Sequence, residues 1–183
     1  MLTITVKKGE AFDRNNEIFY RVEKDITIQL EHSLISLQKW ESRWHKPFLS
    51  KESKTEEETI DYIRCMCITP NVKDDVFYCI PINELKRISE YIDDPMTATW
   101  FKETGPKMAK AKKEVVTAEI IYYWMISLNI PTEFRKWHLN QLLTLIKVIN
   151  IKNTPKKKRS RREILEEHRL INEANKKRYG TKG

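Results

Sequence analysis

The residues of this 183-residue chain that could do chemistry are few and scattered. Cys65 and Cys67 stand two apart in "RCMCI", with Cys79 further on. Positions two apart on a helix point in different directions, and no second CxxC or HxxxH completes a tetrahedral zinc set. Reduced structural thiols are the expectation, as in cytosol. His138, beside Trp137, has the side chain best suited to proton transfer near neutrality. A helix-surface or interface imidazole is its plainer reading. His32, His45 and His168 fall into no Ser/Asp or Cys pairing by spacing. Glu56, Glu57 and Glu58 offer oxygens for a cation, yet a first helical turn accounts for them better. The patterns GxxxxGK[ST], GxGxxG and GxSxG are missing, and the final "GTKG" is a chain end rather than a phosphate loop. These residues imply a protein without catalysis, cofactor or metal.

Non-covalent contact is better represented. The cluster "KKKRSRR" supplies Lys156, Lys157, Lys158, Arg159, Arg161 and Arg162, residue types that neutralise phosphates without reading sequence. The formal net charge is +8, and its location is informative. Residues 1–151 hold 22 basic and 22 acidic side chains, whereas residues 152–183 hold 12 basic and 4 acidic. A neutral body therefore carries a cationic arm, with nucleic acid as one available partner. The following "EILEEH" interrupts the charge and fits a helical docking segment better than an RNA sleeve. The aromatics in "IYYWM" and at Trp40 and Trp44 could stack bases, but their apolar context favours core packing.

The elements that would position these residues define an α+β, mainly α protein. Residues 1–32 read as a small antiparallel β-meander packed on a helical body, with strands in "LTITV", "EIFYRV" and "ITIQLEH". Residues 33–151 read as that body. Ser33 is placed to cap "LISLQKWESRW", which Pro47 ends, and Thr55 with Glu58 has capping-box spacing. "NELKRISEYI" after Pro81 is a further helix, and "MTATWF" a strand or an extended link. The polar stretch 102–113 is a candidate mobile loop. The segment 114–150 predicts an apolar helical hairpin, its first helix buried nearly all round and linked to the second by "NIPT". Residues 152–183 form a basic linker and an amphipathic C-terminal arm, with Ser160 and Glu163 spaced as a cap. Its thin stripe of Ile164, Leu165, Leu170 and Ile171 is too little for independent stability. No apolar run approaches the roughly 18 residues of a membrane span, and "MLTITVKKGE" has no secretory pattern.

Several phrases occur together in order: "EHSLISLQKWESRWHKPFLS", "MTATWF", "VTAEIIYYWMISLNIPTEFRKWHLNQLLTLIKVINIKN" and "SRREILEEHRLINEANKKRYGTKG". In this order the chain resembles small proteins encoded in the tail-gene region of long-tailed bacteriophages, the tail assembly chaperones, from about Leu30 to Gly183. The resemblance implies a non-catalytic protein that holds the tape-measure protein or tail subunits, self-associates, and acts in the host cytoplasm during assembly. Its contact surface is then expected at Trp124, Trp137 and Leu142 of the hairpin and at Ile164, Leu165 and Leu170 of the arm. The alternative is a structural virion component whose arm reaches neighbouring subunits or DNA.

Overall fold

A computed structural model describes residues 1–13, 17–101, 115–154 and 161–180. They form an α+β, mainly α protein with four N-terminal strands followed by helices. The strands are β1 (Leu2–Val6), β2 (Gly9–Asp13), β3 (Ile18–Val22) and β4 (Ile26–Leu30). Their pairing is nested rather than a sequential meander: β1 pairs with β4 and β2 with β3, both antiparallel. Val6 faces Ile26 and Gly9 faces Val22, so the return arm carries one extra residue at the junction. That slip lets the ribbon change twist, and the Lys8 amide donates to Asp25 Oδ1 there at 2.8 Å. Ile4, Val6, Ile28 and Leu30 are sealed on the inner face. At the outer end Phe12 and Phe19 meet on the exposed face with tilted rings, 4.5 Å between ring centres.

Both legible helix starts are capped as the sequence implies. Ser33 caps α1 (Leu34–Trp44), although its reciprocal partner is Ser36 rather than an acidic residue. The helix ends where His45 adopts a left-handed conformation, φ 52°, two residues before Pro47. Thr55 caps α2 (Glu56–Met66), and Glu58 returns the bond to the Thr55 amide at 2.8 Å. Thr55→Ala removes one half of this box, and urea unfolding is expected to show a loss of about 1 kcal/mol. A short α3 (Asp75–Tyr78) and α4 (Ile82–Asp93) follow. "MTATWF" contains no strand among its described residues; it is a link.

Then come α5 (Ala118–Ser127), a 3-10 turn (Thr132–Lys136) and α6 (Leu139–Asn153). The expectation of a central helix buried all round is corrected here. α5 buries only Ala118, Ile121 and Met125, at i, i+3 and i+7, and exposes Tyr123 and Ile126. It packs chiefly on α1 rather than forming a hairpin with α6. The central helix is α1, whose Leu34, Leu37 and Trp40 are fully enclosed and which packs against α2, α5 and the 3-10 turn.

The chain divides into two compact units, residues 1–149 and 150–183. The second contains α7 (Arg161–Tyr179), closed by Gly180 at φ 63° in the left-handed conformation that favours glycine. The candidate loop 102–113, Lys156, Lys157, Lys158, Arg159 and the Ser160 cap lie outside the described residues.

Candidate functional site

The chemistry-bearing residues of the body are drawn into packing and hydrogen bonds that their spacing did not reveal. Cys65 is buried, and that burial, with Asp61 nearby, pushes its thiol up to about 11, leaving it protonated and unreactive. Burial raises the Cys67 and Cys79 thiols as well. Among the described residues no three His, Cys, Asp or Glu side chains gather as metal ligands. Glu58 is committed to its cap and to Lys46, whose Nζ lies 2.5 Å from Oε1. These contacts, the Lys46 hydrogen bond first, lower its carboxyl pKa. Asp61 ties α1 to α2, accepting from Arg43 and from Trp44 Nε1 at 2.9 Å, with Arg64 3.5 Å away. A shallow cationic cleft lined by Lys39, Ser42, Arg43, Arg64 and Cys65 borders this carboxylate.

The polar cluster that spacing concealed is built from His32 and His138, both buried, with ring centres 5.0 Å apart. The link from β4 to α1 carries His32, and His138 precedes α6. The Leu139 amide donates to the His32 carbonyl at 2.7 Å, locking the two segments together. His32 Nδ1 lies 2.5 Å from the Tyr62 hydroxyl of α2. His138 Nε2 lies 2.9 Å from the Tyr91 carbonyl of α4. A carbonyl only accepts, so Nε2 carries the proton and Nδ1 of the neutral ring is an acceptor. That Nδ1 has no hydrogen-bond partner in the structure. Above the pair, the Tyr91 hydroxyl donates to Glu31 Oε1 at 2.6 Å, and the N-terminal amine lies 3.0 Å from Glu31 Oε2. Burial, then the neighbouring His138, depresses His32 to about 3, and burial lowers His138. Two neutral imidazoles thus knit four elements together. The expectation of a surface or interface His138 is corrected: it belongs to the core.

The expected contact residues divide sharply. Leu142 is completely buried, so its assignment to a contact surface is corrected: it packs the body's core. Trp124 is half-buried against that core. Trp137 is partly exposed and stacks on Phe134, with ring centres 4.0 Å apart. On α7 the picture differs. Leu165 is 61% exposed, Leu170 66%, Ile171 50% and Tyr179 69%, and the last of these was not singled out from sequence. The side chains of Arg161, Arg162 and Ile164 lie outside the described set. No helix among the described residues is long and apolar enough to cross a membrane.

The chain matches no protein-family model, no curated protein and no solved structure.

Proposed function

We propose that this protein is a bacteriophage tail assembly chaperone, a non-catalytic module that holds the tape-measure protein or tail subunits during tail morphogenesis in the host cytoplasm. The carrying observation is α7: a 19-residue helix in its own compact unit whose Leu165, Leu170, Ile171 and Tyr179 all stand more than half, or half, exposed. Isolated helices of this length are marginal in water, and such side chains gain most when a partner covers them. The ordered resemblance of four sequence phrases to tail assembly chaperones supplies the identity of that partner. Trp137, Tyr123 and Ile126, all exposed on the body, offer further apolar surface.

Co-expression with the tape-measure protein of the same phage tests this reading. The full chain is expected to keep that protein in the soluble fraction and to co-purify with it. Leu170→Asp places a charge in the exposed stripe and is expected to reduce the co-purified amount by about tenfold, the loss of one buried leucine contact. Equal recovery with the variant contradicts the role of the arm. A second reading, a virion component whose arm reaches neighbouring subunits or DNA, draws on the basic excess in residues 152–183.

A further inference from the structure

The cleft between α1 and α2 gathers positive charge that the body does not fully compensate. Lys39, Ser42, Arg43, Arg64 and Cys65 line an open volume of about 430 Å³, and none of them is acidic. Lys39 and Arg43 stand four apart on α1, both exposed, a like-charge spacing that costs helix stability. Arg64 arrives from the last turn of α2. All three cations lie close enough to Cys65 to favour its thiolate, although burial outweighs them.

Two carboxylates offset part of this charge. Asp61, buried beneath, accepts from Arg43 Nη1 and lies 3.5 Å from Arg64 Nη1. Asp74 lies 3.2 Å from Arg64 Nε. Both arginines are thereby held in place, yet Arg43 is bound through one nitrogen and its side chain stays 52% exposed. Lys39 Nζ has no hydrogen bond or ion pair among the described residues. Ser42 does not serve it, since its hydroxyl donates to the Lys39 carbonyl at 2.9 Å. Three cations against two carboxylates leave the charge of Lys39 uncompensated.

We propose that this cleft binds the phosphate group of a small molecule. Lys39 supplies a point charge, and Arg43 supplies the Nε–Nη2 edge of its guanidinium. Arg64 adds charge from across the cleft. Donors converging from two helices suit a phosphate, whose oxygens accept from several directions, better than a carboxylate, whose two oxygens share a plane. A nucleic-acid strand fits poorly, because the cations form one cluster rather than a track. Further along the pair Lys46 is already bound to Glu58, and Glu56, Glu57 and Glu58 fill the first turn of α2. That end repels a polyanion. The site lies wholly within the body and is independent of the tail-assembly reading.

Calorimetric titration of the full chain with inorganic phosphate and with adenosine monophosphate, against chloride at matched ionic strength, tests the site. Saturable one-to-one binding is expected. Tighter binding of the nucleotide identifies an organic phosphate as the ligand, and equal binding a free phosphate. Lys39→Gln is expected to weaken binding roughly tenfold, the scale of one charge-assisted hydrogen bond, whereas Lys39→Arg keeps most of it. Because Lys39 is exposed and unpaired, Lys39→Gln is expected to unfold in urea no earlier than wild type. Lost affinity at unchanged stability separates a ligand contact from a structural role. Undiminished binding by Lys39→Gln puts the phosphate elsewhere and overturns the proposal, as does the lack of saturable binding by either probe. A single-stranded oligonucleotide that loses more affinity in Lys39→Gln than the mononucleotide does overturns it in favour of nucleic acid.

Discussion

Replacing Glu41 by alanine is expected to lower the stability of the body by about 3 kcal/mol or more, the scale of two hydrogen bonds to a charged acceptor. This buried carboxylate on α1 is a clamp. Its Oε1 accepts from the Phe48 amide at 2.8 Å and its Oε2 from the Ala118 amide at 2.7 Å. Thr117, the residue before α5, makes no side-chain cap of its own, so Glu41 supplies from another helix what a local cap supplies elsewhere. Alanine leaves two amides buried without an acceptor. Thermal unfolding is expected to shift down by roughly 6 °C or more for a chain of this size. Glu41→Gln keeps one acceptor and turns an amide donor toward the other N–H, so it is expected to fall between wild type and alanine. An alanine variant within about 0.5 kcal/mol of wild type, the ordinary range for surface changes, contradicts the clamp.

The second large effect is acid sensitivity. The folded protein holds His32 neutral with its pKa near 3, whereas an unfolded imidazole titrates near 6.5. As pH falls below 6.5 the unfolded chain binds a proton that the folded chain refuses. The stability is therefore complete above that value and is lost as pH drops toward 3. Each unit of pH in this window costs about 1.4 kcal/mol per imidazole, so His32 alone removes about 2 kcal/mol between pH 6.5 and pH 5. His138, also lowered, adds in the same direction. Glu41 acts oppositely, because burial raises its carboxyl above the usual value and favours its protonated form as pH falls. The informative quantity is thus the difference between wild type and His32→Asn. The variant is expected to show a shallower decline in unfolding midpoint from pH 7 to pH 5. Parallel curves mean that His32 is not held neutral in the fold.

Much of the architecture was readable because its signals are local. Ser33 and Thr55 announced their helices within four residues, and Pro47 marked a real stop just beyond His45. The mainly helical composition with N-terminal strands followed from period-two and helical patterning. What failed was long-range. β2 was invisible because Gly9, Glu10 and Asp13 are poor strand formers, and only pairing with β3 makes them extended. The apolar density of α5 implied a helix enclosed on all sides, but composition does not say which neighbours arrive, and α1 took the centre instead. For the same reason Leu142, expected at a surface, is sealed. His32 and His138 lie far apart in sequence, and only the bridge between Ser33 and His138 brings them together. Of the expected contact residues on α7, Leu165 and Leu170 stand exposed, as a thin apolar stripe on a polar helix implies.

The central proposal, a chaperone that binds during assembly and then leaves, is tested most directly by quantitative mass spectrometry of purified, mature phage particles. The proposal predicts the protein in the lysate but absent from the particles, or present far below the level of any structural subunit. Its recovery in particles at a fixed stoichiometry with the tail proteins would contradict a departing chaperone and establish the virion component instead.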